Sequence, residues 1–181
     1  MKLNQILKTL DTISPFEMQA KWDNSGLCVG DSESDIEHIY LSLDADDEVI
    51  SQMPENSLLV VHHPPIFKGL KSIYHDNYPS SFLITAIKKN ISIVSMHTNY
   101  DLSHLNLYVL EEVLGYKVTK VEGHLCYFTV DKPFDTFALE VAEVLDIENI
   151  SIVKRHDRVV TAALCTGSGA DLITEVEADC F

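Results

Sequence analysis

Leu58-Leu59-Val60-Val61 runs straight into His62-His63 and is stopped by Pro64-Pro65. A short β-rich apolar run between turn signals reads as a buried strand. Pro64 removes a backbone N–H, so a central strand cannot continue through it. In an open α/β sheet, ligands bind outside the carboxyl ends of the strands. His62 and His63 stand where this strand ends. Adjacent residues on an extended chain point opposite ways. One ion shared by both imidazoles therefore needs the chain to turn, and two ions, one per histidine, fit the extended geometry more easily. A hydrogen-bonded histidine pair closing a strand is the alternative.

A second stretch repeats the arrangement. Ile91-Ser92-Ile93-Val94-Ser95-Met96 reads as a strand and runs into His97-Thr98-Asn99-Tyr100-Asp101. Imidazole plus carboxylate is a usual ligand set for zinc, iron or manganese. With Trp22-Asp23-Asn24-Ser25-Gly26-Leu27-Cys28-Val29-Gly30, these motifs resemble the NGG-interacting-factor-three-like family, also known as type 2 GTP cyclohydrolase. The three motifs occur in matching order.

The resemblance implies His62, His63 and Asp101 as metal ligands. His97 is expected to hold Asp101 or a bound water by a hydrogen bond. The family implies two divalent ions, a toroidal hexamer and a reaction. A metal-bound hydroxide attacks C8 of GTP, giving formate and dihydroneopterin triphosphate. A metal-dependent nucleotide phosphoesterase would suit the same ions. A hexameric metal-binding scaffold or adaptor without catalysis is the third reading. No serine or cysteine stands in a recognisable triad arrangement.

Charge limits the partners. Thirteen Lys and Arg stand against 28 Asp and Glu, a net charge of −15. That field repels nucleic acid, membrane surfaces and polyphosphates at long range. A nucleotide substrate needs local cations, and bound metal is the obvious source. Cys28, Cys126, Cys165 and Cys180 are scattered without CxxC spacing, which suits free thiols and a cytoplasmic setting. No apolar run approaches the length of a membrane span.

Read in order, Leu3, Ile6, Leu7, Leu10 and Ile13 predict a helix over residues 3–13, ended by Ser14-Pro15. Trp22 to Gly26 reads as a loop. Either Asp23 or Asn24 caps its own backbone and Trp22 covers the core, or the loop lines the site, where the resemblance puts it. Residues 39–43 predict a strand, followed by Asp44, which either lines the same cleft or caps a helix over 46–53. Lys68 and Lys71 lie on an irregular loop over 67–78 and are the cations nearest the histidines in sequence. A helix over 79–89 should turn Phe82, Ile84, Ala86 and Ile87 to the core, and another covers 106–114, stopped by Gly115. Alternating strands and helices give a mainly parallel sheet flanked by helices, with a second, smaller α/β lobe. The lobes are expected at 1–115 and 116–181.

The second lobe predicts strands over 116–121, 125–130, 150–153 and 159–164, and helices over 134–145 and 169–177. Gly123-His124 imitates a Gly-His element of the family, but Phe128 stands where a glutamate ligand would, so His124 reads as a turn residue. Cys165 to Ala170 reads as a strand-to-helix turn or a phosphate cradle. Ala178 to Phe181 resembles the start of a further strand without a partner. Family members continue there to a final histidine and glutamate that complete the metal pair. The second lobe is thus expected to be truncated, the chain to bind one ion or bind weakly and to have little hydrolytic activity, and apolar surface to be left exposed.

Overall fold

The computed structural model describes all 181 residues, Met1–Phe181. They divide into two compact units, Met1–Tyr100 and Asp101–Phe181. The boundary lies earlier than the expected 115. The reason is that Leu110, on the helical stretch before Gly115, is buried in the core of the second unit.

The first unit is a four-stranded sheet in the order β1-β4-β3-β2, made of β1 (Gly26–Val29), β2 (His38–Ser42), β3 (Ser57–Val61) and β4 (Ser92–Ser95). Strands β2, β3 and β4 are parallel, and β1 runs antiparallel to β4. Helix α2 (Asp47–Gln52) links β2 to β3, and α3 (Ser80–Lys88) links β3 to β4. Strand β3 is apolar from Leu58 to Val61 because both its faces are covered. Leu59 and Val61 join Ile50, Phe82, Leu83, Ala86 and Ile93 on one side. Leu58 joins Leu3, Ile6, Ile36 and Val94 on the other, beneath α1 (Leu3–Ile13). In the register, Val61 stands opposite Ser95.

Most first-unit elements fall where the apolar pattern puts them. Asp46 caps α2 by accepting from the Val49 amide at 2.8 Å, which leaves Asp44 for another task. On α3, Leu83 is buried and Ile87 is 61% exposed. The apolar stripe is one position out of phase with the expected one, because Phe82, Leu83 and Ala86 share the inner face. Strand β1 and the short helix α4 (Thr98–Tyr100) begin inside the loop motifs.

The second unit opens on a π-helical turn, Asp101–Leu105, followed by α5 (Asn106–Tyr108) and a second π-helical turn, Val109–Val113. Within this unit the helical backbone thus begins at Asp101, five residues before the expected 106. An antiparallel sheet follows in the order β5-β6-β7, with β5 (Val118–Glu122), β6 (Leu125–Pro133) and β7 (Arg158–Leu164). Helix α6 (Phe134–Val144) covers one face through Phe134 and Phe137. The turn at Gly123-His124 joins β5 to β6, with Gly123 at φ +57°, the left-handed conformation glycine allows. Residues 150–153 form no strand. Val153 is exposed, and β-branched composition alone does not make a strand without a neighbour to pair with. Gly169–Thr174 is a six-residue 3-10 turn rather than a helix to 177. The last residues do have a partner: Cys180 makes a parallel bridge to Ala162, and Asp179 accepts from the Val160 and Thr161 amides.

Candidate metal centre

Three imidazoles meet at the carboxyl ends of β3 and β4. One ring nitrogen from each of His62, His63 and His97 lies within 4.8 Å of the others. The ring centroids are 4.9 Å apart for His62 and His63, 5.1 Å for His62 and His97, and 5.6 Å for His63 and His97. The chain bends as soon as β3 ends. The His62 and His63 amides both donate to the Leu43 carbonyl, at 3.1 and 3.0 Å. That bend removes the opposite-facing geometry expected of adjacent residues, so the two rings come together edge to face, with planes at 62°.

Each ring is held through Nδ1. His62 Nδ1 lies 2.9 Å from the Met96 carbonyl, His63 Nδ1 2.8 Å from the Asp44 carboxylate, and His97 Nδ1 2.7 Å from the Asp23 carboxylate. A carbonyl or ionised carboxylate only accepts, so each Nδ1 carries a proton, and Nε2 is the nitrogen whose lone pair each ring would offer to a metal. Histidine ligands use this support in metal sites. Nitrogens bound to one zinc at about 2.1 Å stand roughly 3.4 Å apart in a tetrahedron. Small ring movements would therefore let the three nitrogens reach one ion. The donor set fits a divalent transition metal.

Asp23 organises the centre from behind. Its side chain is fully buried. It accepts from His97, from the Thr98 amide and hydroxyl, from Ser25 Oγ at 2.9 Å and from the Asn24 amide at 2.7 Å. Burial opposes its charge, but the hydrogen bonds from His97, Thr98 and Asn24 outweigh that and hold its pKa down at about 2. The loop does cap its own backbone through Asp23, as expected, and the same carboxylate also carries His97. Asp23 thus stands on His97 Nδ1, where Asp101 or a bound water is expected from the sequence. Seventy-four residues separate Asp23 from His97, and no local pattern announces a pair so distant. Asp44 lines the centre rather than capping α2, and its link to His63 had a signal: it follows β2 as His62 follows β3.

Trp22 does not cover the core. It is 62% exposed and stands beside Phe67 and His97, at 5.7 and 6.2 Å between centroids. Asn99 instead ties the motif inward, donating to the Ser14 carbonyl and hydroxyl at 2.9 and 3.0 Å. Lys68 and Lys71 are exposed. Burial pushes the Cys28 thiol up to about 11, so it stays protonated at neutral pH. Asp101 opens the second unit, where it is buried. Its expected ligand role rests on the sequence resemblance.

The family model of Duf34/NIF3 (NGG1p interacting factor 3) matches residues 1–181. This chain belongs to the Duf34/NIF3 family. A GTP cyclohydrolase 1 type 2 homolog of Campylobacter jejuni is 48% identical over 183 aligned residues, covering 100% of this chain and 76% of that protein. GTP cyclohydrolase 1 type 2 of Helicobacter pylori is 33% identical, covering 97% of this chain and 73% of that protein. A crystal structure of a Staphylococcus aureus hypothetical protein shares the Duf34/NIF3 fold seen here, with a TM-score of 0.81 at 22% identity over 97% of this chain and 75% of that one. At family level the chain groups with proteins named for GTP cyclohydrolase 1 type 2 activity. No helix is long and apolar enough to cross a membrane.

Proposed function

We propose that this chain is a metal-dependent hydrolase that opens the purine ring of GTP, the activity for which its relatives are named. The observation that carries the reading is the convergence of three imidazoles, each backed by an acceptor at Nδ1. His62, His63 and His97 would hold a divalent ion such as zinc, iron or manganese. We propose Asp101 as an additional ligand on the strength of the sequence resemblance. The ion supplies Lewis acidity.

The remaining chemistry belongs to the chain. The Met96 carbonyl, Asp44 and Asp23 fix the tautomer of each ring, so the lone pairs would meet an ion with only small ring movements. The two carboxylates also place negative charge behind His63 and His97, which strengthens them as donors. The overall change consumes one net water, releases C8 of guanine as formate and leaves dihydroneopterin triphosphate. It needs no covalent intermediate on the protein, in keeping with a Cys28 thiol that stays protonated.

Metal-stripped protein reloaded with zinc or manganese should release formate and a fluorescent pterin from GTP. Release of inorganic phosphate alone would replace this reading with a phosphoesterase, and neither product would leave a scaffold role. Full activity after exhaustive chelation would exclude the metal.

A further inference from the structure

Two rings beside the imidazole cluster serve no core. Trp22 is 62% exposed and Phe67 46% exposed, and both lie outside the two apolar clusters of the first unit. Their centroids are 5.7 Å apart with planes tilted by 44°. Each presents itself to the His97 ring at 72°, with centroids 6.2 Å away for Trp22 and 6.1 Å for Phe67.

This exposure is held in place. Trp22 sits in a turn closed by the Asp23 amide on the Ala20 carbonyl at 2.9 Å, and the Ala20 amide donates to Thr98 Oγ1 at 2.9 Å. On its other side, Asn24 Nδ2 donates to the Ile66 carbonyl at 2.6 Å, joining the Trp22 loop to the segment that carries Phe67. The two rings are therefore fixed relative to each other and to His97. Packing gives no reason to hold a large apolar side chain in solvent by three polar anchors. A planar ligand does.

We propose that Trp22 and Phe67 form a stacking subsite for the purine ring of the substrate, which sets a preference for heteroaromatic over sugar-phosphate ligands. The inference rests on the guanine-nucleotide reading given above and deepens it. Rings tilted as these are can give one partner a face and meet its edge with the other, both favourable aromatic arrangements. A ring laid there lies next to His97, with its edge toward the imidazole cluster. Stacking also answers the charge problem. A chain of net charge −15 repels a triphosphate, while attraction through a π-face does not depend on that field.

The test uses the chain's own reporter, because Trp22 is its one tryptophan. Metal-free protein is titrated with guanosine, GTP and ribose 5-phosphate while indole emission is followed. Guanosine and GTP should quench it saturably, and ribose 5-phosphate should not. Phe67→Leu should weaken guanosine binding about tenfold, the scale of one base–aromatic stack, and should raise KM for GTP more than it lowers kcat. Trp22→Leu should raise KM in the same way, with thermal unfolding checking that both variants fold. Equal quenching by ribose 5-phosphate, or no saturable quenching by guanosine, overturns the subsite. So does an emission maximum that shifts to the red on dilution, which would mean that a second copy of the chain buries Trp22. Saturable guanosine quenching without formate release supports the subsite and rejects the cyclohydrolase reading. Formate release without guanosine quenching does the reverse.

Discussion

The two units build strand ends in opposite ways. In the first, β3 and β4 are parallel neighbours with Val61 opposite Ser95, so the residues that follow them emerge side by side. Neighbouring strands lie about 4.8 Å apart, and the His62 and His97 rings lie 5.1 Å apart. In the second, β6 runs antiparallel to both neighbours, and consecutive strands end at opposite edges. Only β5 and β7 point the same way, with β6 between them. A single buried amide spans their ends. Asn106 Nδ2 donates to the His124 carbonyl at 3.1 Å, and its Oδ1 accepts from the Thr166 amide and hydroxyl at 2.7 and 2.8 Å. Parallel pairing thus gathers reactive side chains, whereas antiparallel pairing leaves a gap that a neutral structural residue fills.

On this contrast, substitutions at the strand ends of the first unit should change metal binding and those at the strand ends of the second should change stability. The largest effect is expected from replacing His62 and His63 together by Ala. Metal content by elemental analysis should fall to background, and activity on GTP with it. Retention of one equivalent would break the comparison. Asp23→Asn comes next: losing the carboxylate behind His97 should weaken metal binding about 10–100-fold, read by titration with zinc. Asn106→Ala should leave that titration unchanged and lower Tm by roughly 3–10 °C. About 1–3 kcal/mol for buried groups left without partners, at about 2–4 °C per kcal/mol for a chain this size, spans about 2–12 °C, and the middle of that span is the expectation.

The smallest effect concerns pH. Asp23 is held down at about 2 against an ordinary 3.8. A depressed carboxylate adds stability that is fully present above its unfolded value and is lost as pH falls through its folded value. Between pH 4 and 2, therefore, the wild type should lose Tm faster than Asp23→Asn, measured on metal-free protein. Parallel curves would show that the hydrogen bonds to Asp23 do not favour its charged form.

Much of this was legible in the residues. The apolar run at 58–61 marks a strand buried on both faces, and the two histidine motifs mark where its sheet ends. Helix α1 follows from the spacing of Leu3, Ile6 and Leu10. Strand β1 was not legible: four residues beside glycines, paired on one side, carry little periodicity. The run at 150–153 misled because strand formation depends on a neighbour that composition does not reveal. The centre itself was half readable. His62, His63 and His97 announce themselves by position, but the groups that aim them are set by tertiary contact. Asp23 looks like any turn aspartate until Thr98 and His97 close over it. The Met96 carbonyl that fixes His62 is backbone and carries no signature at all.

The register of β3 on β4 has a consequence for how such a chain can change over generations. The three imidazoles depend less on any one neighbouring side chain than on the alignment of two strands, Val61 against Ser95. Exchanging one apolar residue for another within these strands leaves that alignment intact. Deleting one residue inside β4 would advance His97 by about 3.3 Å and turn the following side chains to the opposite face. Lineages of this fold should therefore exchange one apolar residue for another at 58–61 and 93–94 while keeping the length of both strands constant, with gains and losses of residues falling in exposed loops such as 67–78.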